Sequence, residues 1–106
     1  MGSYNKVVRD LIPGMLRGSG HKVVTRTVYG KELLKALRAR FDEELAEYDA
    51  AVDDAPAAAS LVDLVEIVTA MARLRGCNEG KFGQMRAAEV AQHGAFELGI
   101  FVVSVE

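Results

Sequence analysis

The chain has 106 residues, half of them hydrophobic and 26% charged, with a formal net charge of −2. That length fits one domain, residues 1–106, and that composition is too apolar for a disordered chain. No overall positive charge recruits nucleic acid or an anionic membrane, and the single cysteine, Cys77, excludes an intrachain disulfide. Cys77 has no partner at the spacing of a nucleophile's base, so it reads as a packing residue.

No apolar run approaches the roughly 20 residues of a membrane span, and the first residues lack a signal peptide's apolar stretch. A cytoplasmic protein is therefore expected. The charge is unevenly spread. Lys6, Arg9, Arg17, Lys22 and Arg26 make the first quarter basic, whereas the stretch from Asp42 to Asp54 is strongly acidic. This suits a ligand whose phosphates need cations and whose metal needs carboxylates; simple charge balance describes it equally well.

In chain order, Asp10 to Arg17 predicts a short helix, with Asp10 as N-cap and Pro13 in the first turn. Gly18-Ser19-Gly20 breaks the chain, and His21 to Val28 is β-branched enough for a short strand. A long helix is predicted from Lys31 to about Val52, ended by Asp53-Asp54-Ala55-Pro56. A second starts near Ala57 or Ala58 and runs to about Arg75, before Gly76. A third begins at Asn78, an N-cap, and ends at His93-Gly94. Phe96 to Val105 is apolar and β-branched, a second short strand that can pair with the first. The expected fold is mainly α: a helical bundle with a short edge β-hairpin from the N- and C-terminal segments.

On a helical wheel, Leu34, Leu37, Phe41, Leu45, Tyr48 and Val52 form one stripe of the first long helix. Glu44 borders the stripe and Glu47 lies just beyond it; Glu43 and Glu47 are i, i+4 neighbours. Three glutamates thus converge within about one turn, with no lysine at the spacing that would neutralise them. Mg²⁺ would turn their repulsion into attraction; a solvated acidic face needs no metal at all. The second long helix is apolar around most of its circumference and is expected to lie centrally. Asp63 and Glu66 occupy its narrow polar window. Two facing helices with carboxylates at i, i+3 would make a metal site in the bundle core.

These residues resemble a known family. Glu43-Glu44-x-x-Glu47 followed by Asp63 is similar to the EExxE…ExxD signature of the MazG-like nucleoside-triphosphate pyrophosphohydrolases. Tyr4-Asn5-Lys6-Val7-Val8-Arg9-Asp10-Leu11-Ile12-Pro13 looks like the YNKLVRDxIP opening of one branch, phosphoribosyl-ATP pyrophosphohydrolase-like. His93-Gly94-Ala95-Phe96-Glu97-Leu98-Gly99-Ile100-Phe101 is similar to its RGGFxxxIxL ending. The resemblance implies an all-α NTP pyrophosphatase fold, a homo-oligomer (dimer or tetramer), and Mg²⁺-dependent (or Mn²⁺-dependent) cleavage of a nucleoside triphosphate or phosphoribosyl-nucleotide to monophosphate and pyrophosphate.

Carried over by residue, Glu44, Glu47 and Asp63 would be metal ligands and Glu43 would orient or deprotonate the attacking water. Lys6 and Arg9 would meet phosphate oxygens, assisted by Asn5, and Tyr4 would pack. The sequence departs from the pattern at Ser60, where the first Glu of ExxD is expected; Glu66 is the candidate replacement. Glu89, Gln92 and His93 stand where Lys or Arg is expected, leaving Arg86 as the remaining phosphate contact. The departures also fit a degenerate, non-catalytic member that binds nucleotide or a protein partner.

Overall fold

The computed structural model describes residues 5–106, and four helices organise them: α1 (Ile12–Gly18), α2 (Gly30–Ala50), α3 (Asp54–Leu74) and α4 (Glu79–His93). The mainly helical class is as expected. The edge hairpin is not formed: among the described residues there is no strand, and residues 21–29 and 99–106 carry no regular structure.

The helix ends follow local chemistry, with two corrections to the sequence reading. α1 begins at Ile12 behind Leu11, and Asp10 does not cap it; Pro13 sits in the first turn, where its missing N–H costs nothing. α3 begins at Asp54 rather than Ala57, because Pro56 also falls among the first-turn residues whose N–H groups have no helical partner. α4 starts as expected: the Asn78 side chain accepts a hydrogen bond from the Lys81 N–H at 2.9 Å, and Gly94 ends the helix at φ 86°, a conformation that favours glycine.

The short 51–53 connection folds α3 back along α2, and this pair is the body of the structure. Its interior repeats every seven residues. Leu37 and Glu44 are buried on α2, Ser60 and Ile67 on α3, and no other described residue is buried to that degree. Counting outward from the 51–53 turn pairs Leu37 with Ile67, which line one groove, and Glu44 with Ser60. One layer is apolar; the next is polar.

Around these layers the apolar surface is largely uncovered. The far end of the α2 stripe is open: Leu45 and Tyr48 are exposed, and Val52, expected to end the stripe, lies beyond the helix, which stops at Ala50, and is 96% exposed. α3 is not central, since Leu61, Val62 and Val65 face solvent. Among the described helices, α4 packs against α3 alone. The Cα radius of gyration, 17.7 Å, exceeds the roughly 13 Å of a compact chain of this length. The sequence reading found no span-like segment, but α3 is long and apolar enough by length and composition to cross a membrane, a test that a core helix of a soluble protein also passes.

Candidate functional site

The acidic residues gather where the polar layer of the α2–α3 pair meets the segment leading into α1. Glu44 is the most buried described residue, 4% exposed, so it is not at the border of the α2 stripe but inside it. Its Oε1 accepts from Arg40 Nη2 at 3.1 Å. Its Oε2 is buried with no hydrogen-bond partner. A buried polar atom left this way forfeits about 1–3 kcal/mol of hydration, more when charged. Burial pushes the Glu44 carboxyl above its ordinary range, the Arg40 hydrogen bond opposes this, and the negative charges of Asp63 and Glu47 push it further.

The other carboxylates are held by cations. Lys6 Nζ donates to Glu43 Oε1 at 2.7 Å, and Arg40 Nη1 reaches the same oxygen at 2.9 Å. The Lys6 hydrogen bond, with the Lys6 and Arg40 charges, draws the Glu43 carboxyl below its ordinary range. Arg9 spans the window of α3, with Nη1 at 3.3 Å from Asp63 Oδ1 and Nη2 at 3.5 Å from Glu66 Oε1. Glu47 lies exposed one turn beyond Glu43.

Beside the cluster, between the N-terminal segment and the α2–α3 pair, a groove of about 510 Å³ is lined by Val7, Val8, Leu33, Leu37, Ile67 and Leu74. Arg9, Arg40, Asp63, Glu66 and Arg73 supply its polar lining. This is the size range of a small-ligand site.

The structure therefore brings together Lys6, Arg9, Glu43, Glu44, Asp63 and Glu66. Asn5 is exposed in a left-handed backbone conformation, φ 44°, which Asn tolerates better than most residues. Arg86 is exposed on α4, and among the described residues no hydrogen bond or ion pair links it to the cluster. His93 pairs with Glu89 at 2.7 Å rather than with the site. Tyr4 lies outside the described residues.

Sequence reasoning missed Arg40 and Arg73. Arg40 was legible, because it stands three residues before Glu43 and four before Glu44, the spacing at which a cation meets both. No lysine neutralises the glutamates at that spacing, but this arginine does.

Glu44 offers one open oxygen of the kind a hard cation takes, and no completed donor set surrounds it among the described residues. Among the described residues, no three acidic, His or Cys side chains converge on one point that could hold a metal, since Arg9 and Lys6 engage Asp63, Glu66 and Glu43. Those pairs are largely solvent-exposed, with Arg9 at 52% and Glu66 at 59%. Exposed pairs are worth about 0–1 kcal/mol, so exchanging them is cheap. The unpartnered Glu44 oxygen has no such alternative. Glu44 is thus the buried carboxylate of the cluster with an oxygen still open, beside the charges of Asp63 and Glu47.

The pH dependence of metal-free stability follows from the two opposed glutamates. The Glu44 pKa is raised above its unfolded value, near 4.5, so its contribution is full below that pH and is lost as pH rises through the raised value. Glu43 behaves oppositely, contributing above that pH and losing its share as pH falls through the depressed value. With chelator present, Glu44→Gln should gain stability over the native chain as pH rises from about 4 to 7. Denaturant unfolding at several pH values checks this; a difference that stays flat counts against burial of the charge.

The fold and site define a mainly helical protein with a charge-paired carboxylate cluster on a helical hairpin. No protein family's sequence model matches the chain, and none of the solved structures matches it. It is 48% identical over 46 residues to an uncharacterized protein of Mycolicibacterium smegmatis, a match covering 43% of this chain and 47% of that protein. The matched stretch is about half the length of that relative.

Proposed function

We propose that the protein is a Mg²⁺-dependent nucleoside-triphosphate pyrophosphohydrolase of the MazG-like kind, working as a homo-oligomer. The observation that carries the reading is the buried, unpartnered Oε2 of Glu44, on a carboxylate strained by Asp63 and Glu47. Structure alone rarely tolerates such an atom. The motif resemblance supplies the reaction class.

Glu44, Glu47 and Asp63 would hold the cation, with Glu66 in reach of the same α3 window. When bound, Mg²⁺ neutralises the polyphosphate and acidifies water. The chain's own cations do the rest by exchange. Arg9 and Lys6, now on carboxylates, turn to phosphate oxygens as the substrate arrives, Arg9 as a fork and Lys6 as a point charge. The exchange also tunes Glu43. While Lys6 donates to it, Glu43 is a weak base; once Lys6 moves to phosphate, its affinity for a water proton rises. The groove of Val7, Val8, Leu33 and Leu74, with Arg73, receives the nucleoside end.

One observation favours a second reading. Lys6, Arg9 and Arg40 already neutralise most of the cluster, as a non-catalytic member that binds nucleotide or a protein partner would require. A panel of NTPs and dNTPs with Mg²⁺ or Mn²⁺ separates the two. The enzyme reading expects metal-dependent pyrophosphate release that disappears in Glu47→Ala. Nucleotide-dependent thermal shifts without turnover would replace it with the second reading.

A further inference from the structure

Residues 95–106 form an apolar arm with no cover. Phe96, Leu98, Ile100, Phe101, Val103 and Val105 are each at least 78% exposed. Among the described residues, no backbone hydrogen bond joins the arm to another segment. Segment 21–29 is open along most of its length: beyond the bonds of its first residues to α1 it has no backbone ladder partner, Val23 and Val28 are half-buried, and Val24 is exposed at 88% and Tyr29 at 75%. Each segment has the composition of a strand and, among the described residues, lacks a strand partner in its own chain.

The missing area is large. A folded monomer of this mass exposes roughly 5,800 Å², whereas this chain exposes 9081 Å². The excess, about 3,300 Å² per chain, is well above the roughly 800 Å² per partner of a standard interface and suits an obligate one. Charge agrees as well. The arm's charged side chains are Glu97 and Glu106, and those of segment 21–29 are Lys22 and Arg26, beside His21.

We propose that the arm of each protomer docks on a second copy of this chain, lying along that copy's segment 21–29, so that two protomers exchange arms. The contact is self-complementary: each copy gives one arm and receives one. Backbone pairing along the two extended segments supplies affinity, and their β-branched and aromatic side chains bury against each other. The cost of exchange is low because the arm gives up no backbone hydrogen bond to another described segment. This inference does not depend on the hydrolase reading.

The test uses the full chain. With Phe101 replaced by the photo-crosslinker p-benzoylphenylalanine, ¹⁴N- and ¹⁵N-labelled protein are mixed, irradiated and mapped by mass spectrometry. Crosslinks joining light and heavy copies between the arm and segment 21–29 are expected, in a species of at least twice the 11.5 kDa protomer mass by sedimentation. Phe96→Asp with Phe101→Asp should weaken self-association about 100-fold, as loss of two anchors does, while circular dichroism keeps its helical signal. Crosslinks confined to one protomer, or reaching a partner segment other than 21–29, overturn the proposal. So does a chain that stays monomeric at its highest soluble concentration, or self-association that the double variant leaves unchanged. A monomer that sediments with phosphatidylcholine–phosphatidylglycerol vesicles overturns it too, and makes a membrane the cover of the apolar surface.

Discussion

If the protein is the proposed hydrolase, Glu44→Gln is expected to abolish saturable Mg²⁺ binding and to lower the rate of pyrophosphate release about 10²–10³-fold, the worth of roughly 3–4 kcal/mol of lost transition-state stabilisation. In chelator at neutral pH the same variant should be no less stable than the native chain. The two halves of this result have one origin. The native carboxylate keeps one oxygen on Arg40 and buries the other without a partner, beside Asp63 and Glu47. Gln keeps the shape and an acceptor for Arg40, and removes the charge that burial opposes. A group that only stabilised the fold would show the reverse, with stability lost and calorimetric heats unchanged. Isothermal titration with Mg²⁺, single-turnover kinetics and chelator-phase unfolding read all three quantities on one preparation. Equal Mg²⁺ heats in native and variant protein would remove Glu44 from any metal site.

The sequence carried the helices further than it carried their packing. Asn78 and Gly94 mark the ends of α4 by local hydrogen bonding and backbone conformation, so each was readable from a few neighbouring residues. The start of α3 was misplaced because Pro56 reads as a breaker, whereas in a first turn it breaks nothing. Burial was less readable. The wheel put Glu44 at the margin of an apolar stripe, yet α3 lies across the stripe in a register that makes Glu44 its second interior layer. That register depends on where the 51–53 turn closes, which no single-helix pattern contains.

The cluster's residue types were legible, and its pairing was only partly so. Arg40 follows from i, i+3 and i, i+4 spacing alone. Arg9 on Asp63 and Glu66, and Lys6 on Glu43, join positions far apart in sequence, and only the fold brings them together. The absent hairpin has a different cause. Alternating apolar residues state that a segment needs a sheet partner, but not whether the partner is the same chain. Here the two segments remain apart, and the tendency to pair is left unsatisfied within one copy.

Ser60→Glu should convert a stable chain into a metal-dependent one. Ser60 is 7% exposed, the buried polar residue of α3 as Glu44 is of α2. Its hydroxyl does not satisfy the open Glu44 oxygen, which has no hydrogen-bond partner. A glutamate there sets a second buried carboxylate against the first, and an uncompensated buried charge costs about 3–5 kcal/mol. In chelator the variant is therefore expected to melt well below the native chain, by roughly 4–8 °C for each kcal/mol lost in a domain of this size. Mg²⁺ or Mn²⁺ should restore most of that loss, because the added carboxylate completes the oxygen set that Glu44, Glu47 and Asp63 begin. Pyrophosphate release should rise in the same titration. Thermal unfolding with and without metal separates this from a purely structural polar layer, in which the variant is destabilised equally in both buffers. The sign of the metal's effect at Ser60 thus decides whether the layer is a binding site short of one ligand or a charge network already complete with Lys6, Arg9 and Arg40.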